Sequence, residues 1–405
     1  MRRIAFIAGL AALVWGCSEA PPTSTPLDGE SDSLSTDTSV DSGPTVPPER
    51  ANVPIPSDTL MAGVGERDLR FPIGAGTVGY SPGGGANTPW SGMYPGTDAQ
   101  HTELTARALV LRRQGETVAL VRTATIGIWQ DMVEDIRRRL REEGRADLAE
   151  GLIVTATHTH SSGGRVFDHP IGEIAVGTFL PAFYLRMRDA IAEAVLAADE
   201  ASIPARVGHT TIQVPELHSD RRCENGDNQD DSLGLLKVED LNGELLALGV
   251  SYAMHGTTLG TGDWTLSSDA PGAVETGIEA RLPSPAPVLY LQSWAGDMAP
   301  NMPEGYATVA GDDLRPGFTE LDGIGAAAAD AVIPALADIP TTDAPTLKTV
   351  SARVPLSATE INPDGSFDDY PWGGLYCVNS DQNCEPDATP YSEADLACLP
   401  FDESF

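Results

Sequence analysis

Three apolar runs in this 405-residue chain stop at short polar loops, and that pattern constrains the fold more than any other feature. The runs are residues 151–157, 247–253 and 288–291. The loops that follow them carry His158-Thr159-His160, Met254-His255-Gly256-Thr257 and Gly296-Asp297-Met298-Ala299-Pro300-Asn301. Short apolar runs bounded in this way read as buried strands. A fourth run, 118–121, reads the same way, and amphipathic helical stretches fall at 131–143, 181–198, 269–282 and 325–338. Alternating strands and helices predict α/β layering. Pro181 suits the first turn of its helix, and Pro334 predicts a kink or split in the last one. Sites of α/β proteins are built from loops at strand ends. Here those loops supply imidazoles and a carboxylate, the inventory of a metal-dependent hydrolase.

His158 and His160 stand two apart, so in an extended segment they project to the same side and offer a metal two ligands from one rigid element. Zinc takes three or four protein ligands, so a second element must contribute. His255, beside Gly256, is the candidate. Asp297 either orients or deprotonates a metal-bound water or is a turn residue bonding its own backbone. Asp269, just ahead of a helix with Pro271 in its first turn, reads first as an N-cap. His101, His169, His209 and His218 lack a partner pattern and default to surface or hydrogen-bonded core positions. The loop Ser161-Ser162-Gly163-Gly164 either presents backbone N–H groups to an oxyanion or is a flexible turn.

Residues 1–17 contain Arg2 and Arg3, an apolar stretch, and Gly16 directly before Cys17. This reads as a lipoprotein signal with Cys17 as the acylated residue, on a run too short to span a bilayer. An ordinary signal peptide cleaved nearby is the alternative, and either one exports the chain. Ser18 after the cysteine favours an outer-membrane or cell-surface destination. Residues 18–58 are rich in Ser, Thr, Pro and acidic groups, the composition of a disordered tether. Residues 59–345 have the composition of one globular domain. Residues 346–405 form an acidic, cysteine-containing segment that reads as an incomplete continuation of it. The net charge of −34 argues against nucleic acid and against adhesion to anionic membranes. Besides Cys17 there are Cys223, Cys377, Cys384 and Cys398, an even number that in an exported chain predicts two disulfides. Cys377 and Cys384 are local candidates, and the pairing stays open.

The run Thr157-His158-Thr159-His160-Ser161-Ser162-Gly163-Gly164 resembles the Thr-His-Thr-His-Ser-Gly-Pro-type loop of the neutral/alkaline, non-lysosomal ceramidases, zinc amidases that split the N-acyl bond of sphingolipids. His255-Gly256-Thr257 with Ser267-Ser268-Asp269 is similar to that family's His-Gly-Thr and Ser-Gly-Asp. Gly296-Asp297-Met298-Ala299-Pro300-Asn301 resembles its Gly-Asp-X-Ser-Pro-Asn, and Gly63-Val64-Gly65 resembles its opening Gly-X-Gly. The resemblance spans roughly residues 60–305. It implies a mixed-sheet catalytic domain with flanking helices, Zn2+ as cofactor, and ceramide or a related N-acyl lipid as substrate. It makes His158 and His255 zinc ligands, His160 a proton shuttle or substrate contact, and Asp297 a residue of the reacting centre. Two departures stand out. Ala299 replaces a functionally important serine, and the family's downstream Glu and Tyr ligands have no matching motif, Glu360 and Tyr370 being the residues that can be proposed. They keep two other readings open, a catalytically silent surface protein of the same fold and a zinc esterase with a soluble substrate.

Overall fold

The computed structural model describes residues 58–79, 87–92, 94–169, 173, 176–221, 229–260, 262–306 and 316–352. The signal segment with Cys17, the tether, Glu360, Tyr370 and the other four cysteines lie outside the described residues.

In chain order the strands are β1 (Met61–Asp68), β2 (Ala99–Gln100), β3 (Thr105–Arg113), β4 (Glu116–Thr123), β5 (Leu152–Ala156), β6 (Ile203–Gln213), β7 (His218–Asp220), β8 (Ser232–Asp240), β9 (Leu245–Tyr252), β10 (Thr265–Leu266), β11 (Val288–Gln292) and β12 (Met298–Pro300). The helices are α1 (Gln130–Glu142), α2 (Ala146–Glu150), α3 (Pro181–Glu200), α4 (Asp269–Glu279) and α5 (Pro316–Ala335). Eight strands make one mixed sheet in the order β11-β9-β8-β6-β1-β3-β4-β5. Only its two outermost pairs, β4 with β5 and β9 with β11, are parallel. Each parallel pair is joined through helix, as parallel strands require: β4 reaches β5 through α1 and α2, and β9 reaches β11 through α4. The C-terminal ends of these two units meet. Gln292, at the end of β11, donates through Nε2 to the Thr157 oxygen beyond β5 and to the Met254 oxygen beyond β9, both at 2.8 Å.

Three apolar clusters hold this arrangement. Met132, Ile136 and Leu140 fall at four-residue intervals on α1 and pack with Met187, Ile191 and Val195 of α3 against one half of the sheet. Val274 and Ile278 of α4 and Ile324 of α5 cover Leu248, Val250 and Tyr290 on the other half. Leu60, Ala62, Leu109, Val238 and Leu289 form the third cluster. Each fully buried side chain of this size contributes about 1.5–3 kcal/mol. One buried ion pair ties the halves: Arg122 of β4 donates through Nε to Glu275 Oε1 of α4 at 2.6 Å, and the Tyr290 amide donates to the same oxygen at 2.7 Å.

The four strands and the helix positions read from the sequence are all present, within a residue or two for the strands. α5 begins at Pro316 rather than 325, and it runs on through Pro334 to Ala335 before a 3-10 turn at Leu336–Asp338. Pro334 has no N–H to donate, and one residue beyond it the α-helix gives way to the 3-10 turn. Strand β1 explains its own glycines. A Cβ on Gly63 would lie 2.0 Å from the Ala198 oxygen, and one on Gly65 would lie 2.3 Å from the Ala194 oxygen, so α3 crosses β1 only because both positions lack a side chain.

Candidate functional site

β5 ends at Ala156, and the chain then turns at His158, whose φ of 65° lies where few non-glycine residues are found. The turn is fixed by the main chain: the His158 amide donates to the Thr125 oxygen at 3.0 Å, and the His160 amide donates to the Gly256 oxygen at 3.0 Å. Thr159 and Gly256 form a parallel bridge between the loops leaving β5 and β9. A Cβ on Gly256 would sit 2.7 Å from Thr159 Cα, so the two loops approach this closely only at glycine. The second loop is anchored in turn by the His255 amide donating to the Met298 oxygen at 2.8 Å.

This construction brings three imidazoles to one point. His255 Nε2 lies 3.1 Å from His158 Nε2 and 3.1 Å from His160 Nε2. The opposite ring nitrogens of His158 and His255 are committed elsewhere. His158 Nδ1 donates to the Ile126 oxygen at 2.7 Å and His255 Nδ1 to the Ala295 oxygen at 2.8 Å, while the His160 ring is held by the Gly79 backbone. A carbonyl only accepts, so on His158 and His255 the proton sits on Nδ1 and Nε2 presents a lone pair. Two lone pairs 3.1 Å apart repel unless a cation lies between them. Burial, reinforced by the other imidazoles and Arg221, pushes His160 down to about 3 and His255 to about 4, and burial lowers His158 as well. Near neutral pH all three rings are therefore uncharged lone-pair donors, the state metal binding requires.

His158 and His255 line a cleft of about 450 Å3. Ile126, Ile128, Val154 and Ala156 form one apolar wall, and Gln292, Ser293, Ala295 and Gly296 line it from the β11 side. Arg221, which the sequence does not single out, donates from Nε and Nη2 to the Gly296 oxygen at 3.1 and 2.6 Å, and its charge disfavours protonation of all three histidines.

The other sequence candidates land as follows. Asp297 is partly exposed in the turn before β12; its main-chain oxygen accepts from the Arg221 amide at 2.8 Å, and its carboxylate is not part of the imidazole cluster. Ala299 lies in β12 opposite Ser219 of β7. Asp269 is not the N-cap the sequence predicts: Ser268 holds that position, and Asp269 is the first residue of α4. Its φ is 55°, and its buried carboxylate accepts from the Thr258 amide at 2.9 Å, the Leu259 amide at 3.1 Å and the Ala270 amide at 2.6 Å, so it clamps the loop that follows His255. Desolvation raises its pKa to about 6 against those three bonds. The Ser161–Gly164 turn offers little to an oxyanion: both serines are buried, and the Ser161 and Gly164 amides already donate to Thr159 Oγ1 and the Gly76 oxygen. His218 is a satisfied core histidine, stacked on Tyr252 and bonded to the Ala253 oxygen and Asp231.

Residues 96–313 match the N-terminal region of the neutral/alkaline non-lysosomal ceramidases. The neutral ceramidase of Drosophila melanogaster is 22% identical over 279 residues, covering 64% of this chain and 38% of that protein. Neutral ceramidase A of Dictyostelium discoideum is 23% identical over 260 residues, covering 58% of this chain and 36% of the relative. The chain thus spans well under half the length of these relatives. In three dimensions it is similar to the crystal structure of neutral ceramidase from Pseudomonas aeruginosa, with a TM-score of 0.59 at 20% identity over 68% of this chain and 44% of that one.

Proposed function

The chain belongs to the neutral/alkaline non-lysosomal ceramidase family, and from that premise we propose that it is a zinc-dependent amidohydrolase that cleaves the N-acyl bond of ceramide or a related lipid. The observation that carries the reading is the convergence of three imidazole Nε2 atoms, with Nδ1 of His158 and His255 turned outward to backbone oxygens. These donors suit zinc in number and kind. His158 and His255 would hold the ion, and His160, at the same distance from His255, is better placed as a third ligand than as a proton shuttle. Zinc bound there supplies Lewis acidity toward an amide carbonyl and acidifies a water.

The chain's own groups do the rest. The apolar wall of Ile126, Ile128 and Val154 receives an acyl chain and excludes water from the reacting carbonyl. Arg221, braced on the Gly296 oxygen, offers positive charge to the oxygen on which negative charge develops. Asp297, on the same turn, accepts the proton released by the attacking water. Ala299 carries no hydroxyl, so the nucleophile in this reading is water and not a side chain. We further propose export as a lipoprotein anchored through acylated Cys17, which keeps the domain near lipid substrate.

The test is product analysis with an N-acyl sphingoid lipid, a short N-acyl amide and an ester of the same acyl group. Release of fatty acid from the lipid amide, abolished in His158→Ala and His255→Ala, is expected. Ester turnover alone would make the protein an esterase, and no turnover would make it a silent member of the fold, the reading that Ala299 favours.

A further inference from the structure

The turn that positions His255 also displays Trp294, which is 81% exposed between two cleft-lining residues, Ser293 and Ala295. The indole sits on a stiff mount. The Ser293 amide donates to the Tyr252 oxygen at 3.1 Å, the Ala295 amide to the Ser293 oxygen at 3.0 Å, and the Ala295 oxygen accepts from His255 Nδ1 at 2.8 Å. On the β5 side of the cleft, Ile126, Ile128 and Val154 are half-buried. Apart from the imidazoles of His158 and His255, no ionisable side chain lines this cleft, although the chain carries 59 Asp or Glu and 25 Lys or Arg residues. An apolar lip on so charged a protein marks a contact surface, with the exposed Arg221 bonded to the Gly296 oxygen beside it. Tryptophan, with an apolar ring and one N–H, partitions to the water-lipid boundary.

We propose that Trp294 is an interfacial anchor that seats the mouth of the cleft on an uncharged or zwitterionic lipid surface. Anionic lipid is disfavoured by the net charge of −34. Among the described residues no helix is long and apolar enough to cross a membrane, so this contact is a shallow one made by a side chain on a turn. The inference rests on the lipid-amide reading for its purpose, but lipid contact is measured without hydrolysis.

The experiment uses the full chain with Cys17→Ala in every variant, so that no acyl anchor contributes, mixed with phosphatidylcholine vesicles whose acyl chains are brominated. Tryptophan emission of the parent is expected to be quenched. Trp294→Gln is expected to lower the partition coefficient by about tenfold or more, the factor that 1.4 kcal/mol produces. Trp294→Phe keeps most of the binding, and added phosphatidylserine weakens it. An unquenched parent, a Trp294→Gln variant that melts and partitions like the parent, or tighter binding to anionic vesicles overturns the proposal. Quenching without any amide turnover removes the hydrolase reading and leaves the anchor; turnover of a soluble amide without quenching removes the anchor alone.

Discussion

Replacing Asp269 with Asn separates two opposing effects on the loop behind His255. In the parent, burial raises the carboxyl from its ordinary 3.8 to about 6, so the folded protein holds this proton more tightly than the unfolded chain does. A rise of that size is worth about 3 kcal/mol at 1.36 kcal/mol per pH unit. Its sign follows from the proton balance: between pH 3.8 and about 6 the folded state binds more protons, so stability falls as pH rises through this window and stays lower above it. Asn does not titrate. It keeps one oxygen for the Thr258 and Ala270 amides but turns an N–H toward the Leu259 amide, at a loss of about 1–3 kcal/mol. At pH 8 the relief of ion burial offsets that loss, and the two proteins are expected to lie within about 2 kcal/mol of each other. By pH 4.5 the parent gains about 2 kcal/mol relative to Asp269→Asn. The three histidines, whose lowered pKa values weaken the fold as pH falls below 6.5, are common to both proteins and cancel in the difference. Urea unfolding of both proteins across this range reads the difference directly. A difference that is flat, or that grows with pH, refutes the assignment of Asp269 as a desolvated, titrating clamp.

Gly256→Ala forces a Cβ to within 2.7 Å of Thr159 Cα and should weaken zinc binding about tenfold or more by parting the histidine loops, whereas Gly260→Ala, with nothing within 4 Å, should leave it unchanged in a chelator titration. Arg122→Met leaves the buried Glu275 carboxylate with only the longer 3.5 Å contact to Arg107 Nη1 as its cation and should destabilise the fold by about 3 kcal/mol, with part of the loss recovered in Arg122→Met/Glu275→Leu; equal stability of the single variant and the parent would show that the pair does not join the halves. Asp297→Asn should lower kcat for amide cleavage by about a hundredfold or more with zinc content unchanged, and unaltered turnover would remove Asp297 from the chemistry.

The parts of this fold that announce themselves are its apolar parallel strands, even where, as at Ile153 of β5, one face stays exposed. β4, β5, β9 and β11 are the parallel strands, and parallel strands read as continuous apolar runs. β1, β3, β6 and β8 are less visible because their sequences mix apolar residues with Gly, Pro, Arg and Glu; Met61–Asp68 contains two glycines whose reason is a helix more than a hundred residues downstream. The histidines were legible for the same reason as the strands, since each stands where an apolar run stops. What local sequence did not contain is anything set by the curl of the sheet. The approach of Arg221 to the imidazoles, the clamp from Asp269 to Thr258 and the bridge from Gln292 to Thr157 join segments whose proximity follows only from tertiary packing. Asp297 shows the converse: its motif pointed to the reacting centre, and the structure puts it on the right turn but outside the imidazole cluster.

Metal content of the purified chain, measured alongside His158→Ala, His160→Ala and His255→Ala, tests the central claim most directly. About one zinc per chain in the parent and a large loss in each of the three variants is the predicted result, because three ligands leave no spare donor in the cluster. A parent free of zinc after loading, or a His160→Ala variant that binds it as tightly as the parent, would contradict a three-histidine metal centre.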